Sequence, residues 1–126
     1  MDKYIDGFVI PVHLDQLNEY KRVATLCATI WKEHGALEYI EAVGDDLGTP
    51  GPGCRSATEV FATQLGETLV FAYIVYESKE HRDSVNAKVM ADPRMKALCP
   101  TQNPDVTPPF DPQRMMFGGY KVVVQG

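Results

Sequence analysis

With 126 residues, 44% of them hydrophobic, the chain can bury roughly two thirds of its unfolded surface, so one domain over 1–126 is expected. A formal charge of -5 supplies no basic face to release counterions from a phosphate backbone, which disfavours a nucleic-acid partner. Three cysteines, Cys27, Cys54 and Cys99, form no CxxC pair; an odd count of this kind argues against a disulfide framework or zinc cluster and for a reducing, cytoplasmic setting. The opening "MDKYIDGFVIPVHLD" is too short and too charged for an export signal or membrane span, so no membrane partner is expected.

"KYIDGFVIPV" alternates and predicts a first strand, with Ile5, Gly7 and Val9 on one face and Tyr4, Asp6 and Phe8 on the other. After Asp15, a residue suited to an N-cap, apolar positions at Leu17, Tyr20, Val23, Ala24, Cys27, Ile30 and Trp31 follow helical spacing. A helix over about 16–34 is expected, ended by Gly35. "ALEYIEAVG" predicts a second strand and "ETLVFAYIVYE" a third, the clearest in the chain. Between them lie the Gly/Pro loop "DDLGTPGPGCRS" and "ATEVFAT", which fits either a short strand or a helical turn.

Ser78 suits the cap of a second long helix, "KEHRDSVNAKVMA". Pro93 cannot continue that helix, yet Asp at an N-cap followed by Pro at N1 favours a new one, so Asp92-Pro93 reads as a hinge between two helical pieces. "CPTQNPDVTPPFDPQ" is an irregular proline-rich loop. "RMMFGGYKVVV" predicts the last strand, its Gly118-Gly119 pair marking a bulge or a close backbone approach. The resulting order β-α-β-β-α-β predicts an α+β fold, a ferredoxin-like antiparallel sheet with its helices on one face.

"YIDGFVIPV", "WKEHGALEYIEAVGDD", "ETLVFAYIVYESKEHRD", "NAKVMADPRM" and "PFDPQRMMFGGYKV", in this order, resemble the YbaA-like family of bacterial proteins along nearly the whole chain. The resemblance implies a dimeric α/β barrel, in which two ferredoxin-like subunits pack sheet against sheet, and it implies no reaction. The loops "LGTPGPGCRSATEVF" and "PTQNPDVTPP" depart from the family pattern, so ligand specificity built from them does not carry over.

Strand parity assigns Ile5, Gly7, Val9, Ile40, Ala42, Val70, Ala72 and Ile74 to the face against the helices. Tyr4, Asp6, Phe8, Tyr39, Glu41, Phe71 and Tyr73 then fall on the other face, which is too apolar to leave in water and calls for a homodimer. Space between the two sheets would be a pocket lined by the aromatic residues Tyr4, Phe8, Tyr39, Phe71 and Tyr73, the candidate ligand-binding set. Asp6 and Glu41 are the candidate catalytic groups, one serving as a general base if the pocket is dry. Otherwise the two carboxylates accept hydrogen bonds from Tyr, Arg or backbone groups and complete an interface. Three readings therefore stay open. One is a homodimer with no assignable activity, and another is a cofactor-independent enzyme, monooxygenase- or isomerase-like, acting on a small aromatic or enolisable substrate. The third is a ligand-binding or stress-related interaction module.

The remaining motifs carry less. "HRD" at 81–83 has no Gly-rich phosphate loop, Lys strand or DFG to make it a kinase loop, and "GTPGPG" at 48–53 lacks the GK[ST] ending of a phosphate loop. His13, Asp15, His34 and His81 do not repeat at metal-ligand spacing, so neither a metal nor another cofactor is expected. Arg114 and Asp111 are expected to pair and fix the last loop, or else to line a pocket mouth, and Trp31 to join the core or else to serve a helix-side oligomer contact.

Overall fold

A computed structural model describes residues 2–100 and 102–126; the proline-rich loop therefore includes one position, Thr101, outside the described residues. The architecture is α+β, an open four-stranded antiparallel sheet with helices. The strands β1 (Tyr4–His13), β2 (Glu38–Val43), β3 (Glu67–Tyr76) and β4 (Met116–Lys121) lie in the order β2-β3-β1-β4. The helices are α1 (Leu17–Glu33), α2 (Ala57–Val60), α3 (Lys79–Ala91) and α4 (Pro93–Leu98). "ATEVFAT" therefore holds a helical turn, α2, capped by Ser56, whose side chain accepts from the Glu59 amide.

The local signals explain most boundaries. Ser78 accepts from the His81 amide and starts α3. Asp92 closes α3 in an extended conformation and caps α4 by accepting from the Arg94 amide, with Pro93 in the first turn. The hinge reading of this dipeptide holds. At the start of α1 the expectation fails: a 3₁₀ turn at Leu14–Gln16 intervenes, Gln16 occupies the cap without a side-chain bond, and His13 accepts from the Asp15 amide instead. Gly35, at φ 113°, follows α1 in the left-handed conformation that suits glycine.

The pairing of β1 with β4 runs unbroken from Tyr4 opposite Lys121 to Val9 opposite Met116, so Gly118-Gly119 makes a close approach. A Cβ on Gly119 would meet the Tyr4 ring, with Cε2 and Cζ at 2.9 Å, and one on Gly118 would meet Tyr120 Oη at 3.0 Å. Each glycine gives up its side-chain volume to an aromatic ring lying across it.

The core corrects the expected faces. Buried Ile74 and Tyr76 pack with Ile30 of α1 and with Val85 and Val89 of α3, joined by half-buried Tyr4, Phe8 and Tyr39, while Ile10, Val12 and Val70 form a second cluster with Tyr20 of α1 that Phe8 also joins. The register sets Tyr4, Asp6 and Phe8 opposite Tyr76, Ile74 and Ala72, and Tyr39 and Glu41 opposite Ile74 and Ala72. Directly opposed residues share a face, so Tyr4, Asp6, Phe8, Tyr39 and Glu41 all lie on the helix side. Ile5, Gly7, Val9, Ile40 and Ala42 lie on the open side instead. Val70, Ala72 and Ile74 are on the helix side, and Phe71 and Tyr73 on the open side, as expected. The inversion has a physical cause: β1 and β2 are apolar enough on both faces that hydrophobicity alone does not orient them, and buried polar partners make the helix side hospitable to carboxylates.

Candidate functional site

The helix side of the sheet holds two separate polar centres. Asp6, 1% exposed, lies beneath α3. Arg82 Nη1 donates to its Oδ1 at 2.6 Å and Asn86 Nδ2 to its Oδ2 at 3.5 Å. The Arg82 guanidinium also lies 4.8 Å from the centre of the Tyr4 ring. A further bond from Tyr76 Oη reaches Asn86 Oδ1 at 3.1 Å, and Trp31 Nε1 donates to both Tyr76 Oη and Asn86 Oδ1 at 3.1 Å. Burial, and next the charge of Asp6, push the Tyr76 phenol above its ordinary value, which keeps it a donor. Among the described residues no buried side-chain polar atom lacks a partner. Asp6 is thus half of a satisfied ion pair within the chain.

Glu41 occupies the second centre. It projects from β2 towards α1, where Tyr20 Oη donates to Oε1 and Tyr39 Oη to Oε2, the latter at 2.7 Å. Burial, followed by the Glu41 carboxylate beside them, raises both phenols far above the ordinary tyrosine value, so both remain protonated donors at neutral pH. Beside this trio opens a cavity of about 200 Å³ between the sheet and α1. Phe8, Ile10, Ala72 and Ile74 form its floor, Tyr20, Ala24, Cys27 and Trp31 its α1 wall, and Phe110 and Met115 close one end.

The cavity follows from side-chain size. Ala24 and Cys27 are the small members of the apolar stripe on α1, and across from them β3 presents Ala72, so large residues at both ends hold the layers apart over small ones. Burial, with Glu41 nearby, pushes the Cys27 thiol up to about 11, which leaves it a neutral wall residue. The lining is apolar but for Glu41 and the phenol and thiol groups around it, a combination suited to a small molecule with one polar end.

Of the residues expected in a site, Phe8, Tyr39 and Glu41 come together here. Asp6 and Tyr4 belong to the Arg82 centre. Phe71 and Tyr73 meet each other edge-on at 6.2 Å on the open face and line no part of this cavity. Tyr20, Cys27, Trp31 and Phe110 were not expected in a ligand site. The signal available for the first three was the α1 stripe itself, with a polar-tipped Tyr20 and small residues between two bulky aromatics. Arg82, the middle residue of "HRD", is the partner of Asp6.

The histidines stay apart: His13 with Asp15, His34 with Asp92 at 2.9 Å, and His81 accepting from the Glu77 amide. Among the described residues no three His, Cys, Asp or Glu side chains converge as a metal site would require. Arg114 pairs with Glu67 at 2.9 Å, while Asp111 caps the 3₁₀ turn at Pro112–Arg114 by accepting from the Gln113 amide; the expected Arg114–Asp111 pair gives way to that arrangement.

The fold and site define an α+β protein in which one sheet face carries a small aromatic cavity with a single carboxylate. Residues 3–112 match the family described as "Protein of unknown function (DUF1428)". The chain is 36% identical over 122 residues to "Uncharacterized protein YbaA" of Escherichia coli K12, covering 97% of each chain, and equally similar to that of Shigella flexneri. The chain belongs to this YbaA-like family, to which no activity is assigned. Among solved structures, the de novo designed protein Foldit4 aligns over 98% of this chain and 99% of its own at 8% identity and a TM-score of 0.43.

Proposed function

We propose that this protein is a small-molecule-binding domain whose ligand enters the cavity between the sheet and α1 and is oriented by Glu41. The observation that carries this reading is one carboxylate, held by two phenols, at the edge of an otherwise apolar cavity of about 200 Å³. An engineered apolar cavity of about 150 Å³ accommodates benzene, so the volume suits a single ring with a short substituent. Glu41 still has acceptor positions free, because an ionised carboxylate offers about four and the tyrosines use two. Asp6 has no part in this reading, since it lies outside the cavity lining and is committed to Arg82. Any proton abstraction from an enolisable ligand would fall to Glu41.

The subunit is a single ferredoxin-like domain that pairs with a second copy, open sheet face against open sheet face, as a dimeric α/β barrel in the cytoplasm. The strand order β2-β3-β1-β4 supports the topology. Ile40, Phe71 and Tyr120, 37%, 56% and 52% exposed, lie on the sheet face away from the helices and support the pairing. The free thiols of Cys27 and Cys54 fit a reducing compartment.

Trp31, the sole tryptophan, lines the cavity and reports on it directly. Titration with benzyl alcohol should change Trp31 emission saturably in the wild type and leave it unchanged in Ala24→Phe, whose ring fills the cavity. A saturable change of equal size in Ala24→Phe would place the ligand elsewhere.

A further inference from the structure

Among the described residues, the other buried or half-buried carboxylates are matched by cations. Asp6 pairs with Arg82, Asp92 with Arg94 and His34, and Glu67 with Arg114. Glu41 differs. Its donors are two neutral phenols, and among the described residues no Lys, Arg or His nitrogen lies within 4 Å of it. Lys21 borders a neighbouring groove that also touches Glu41, yet its ammonium makes no ion pair with the carboxylate. The cavity lining itself contains no basic residue.

A carboxylate drawn partly out of water costs free energy unless an opposite charge or full hydrogen bonding compensates. Two phenols supply part of that compensation. The missing part is positive charge, and the walls are built to accept it: Phe8, Tyr20, Trp31, Tyr39 and Phe110 surround the space beside Glu41. Trp31 and Tyr39 meet at 6.0 Å between ring centres, and Tyr20 and Phe110 at 5.9 Å. Aromatic rings attract a desolvated cation through their quadrupoles, with Trp and Tyr the strongest. The net charge of -5 also favours approach of a cation from solution.

We propose that the ligand is a small organic ammonium, an amine protonated at neutral pH and carried on one ring or a compact apolar group, whose charged nitrogen donates to Glu41 while its apolar part fills the space over Ala72. This inference rests on the ligand-binding reading above and adds the ligand's charge. Neutral alcohols of the same shape would enter the cavity but leave the carboxylate without its counter-charge. Anions such as benzoate would be repelled by it.

Isothermal titration at pH 7 with the matched probes benzylamine, benzyl alcohol and benzoate tests this on the wild-type protein. Benzylammonium should bind about ten-fold or more tighter than benzyl alcohol, with benzoate weakest. In Glu41→Gln, which keeps the side-chain shape and one acceptor oxygen but removes the charge and turns the second acceptor into an NH2 donor, the preference should shrink to within about three-fold. Benzyl alcohol binding as tightly as benzylammonium would overturn the ammonium inference and leave the cavity reading standing. So would a cation preference unchanged in Glu41→Gln. If none of the three probes binds the wild type, the cavity reading itself falls, and this inference with it. The wild-type comparison needs no variant to fold.

Discussion

Replacing Arg82 by Met should destabilise the fold more than any surface change, because it strips the counter-charge from a carboxylate that is 1% exposed. What remains for Asp6 is a long bond from Asn86 at 3.5 Å and the neighbouring Tyr76 phenol, both neutral. Breaking a buried ion pair by removing one partner costs about 3–5 kcal/mol. The Arg82 side chain is 15% exposed and also bonds exposed Asp83, so water reaches one end of the pair and about 2–4 kcal/mol is the better figure. For a domain of this size that corresponds to a fall in Tm of about 6–15 °C. Asp6→Asn should cost less, about 1–2 kcal/mol, because the guanidinium can turn to Asp83 and solvent. The double variant should then cost less than the two singles added together, by about 1–2 kcal/mol. Urea denaturation followed by far-UV circular dichroism measures all three. A loss below about 0.5 kcal/mol for Arg82→Met, the level of an exposed substitution, would refute the buried-pair account.

Phe71→Glu places a charge on the centre of the open sheet face; under the proposed pairing the wild type should sediment as a dimer and the variant as a monomer with its helical signal intact, and a wild-type monomer or an unchanged dimer would refute sheet-to-sheet pairing. Asp92 accepts hydrogen bonds from Arg94 and His34, which hold its carboxyl below the usual range. A lowered folded value means stability that is present above the unfolded carboxyl pKa of about 4 and lost as pH falls below it. The stability gap between wild type and Asp92→Asn should therefore be full at pH 6 and close progressively in acid, read from urea midpoints at each pH. A gap that widens in acid would reverse the sign and the argument. At pH 8 a thiol reagent should label exposed Cys54 well before Cys27, whose thiol is raised to about 11, and a cavity ligand should slow Cys27 further. Faster labelling of Cys27 would contradict its place in the cavity wall.

Local punctuation was readable from residue types because its physics is local. Ser78, Asp92-Pro93 and Gly35 mark helix ends through bonds made within a few residues, and each does so here. The orientation of β1 and β2 was not readable. In "YIDGFVIPV" both alternating sets are largely apolar, and the polar exception, Asp6, suggests the wetter face. Its true placement depends on Arg82 and Asn86, 76 and 80 positions away, whose arrival no local pattern announces. The same long-range dependence hid the cavity. Tyr39 and Glu41 stand out in β2, but their partner Tyr20 comes from α1, and the void arises only when Ala24 and Cys27 are laid over Ala72. β3 was oriented correctly because Val70, Ala72 and Ile74 contrast with Phe71 and Tyr73 in size and polarity.

The most direct test of the central claim is a chemical-shift map of the ¹⁵N- and ¹³C-labelled protein titrated with benzylamine. The account predicts perturbations concentrated on the Trp31 indole N–H and on Phe8, Ala24, Cys27, Tyr39 and Glu41, with Phe71, Tyr73 and Ile40 unmoved. Perturbations centred on Phe71, Tyr73 and Ile40 would place the ligand on the open sheet face and contradict it.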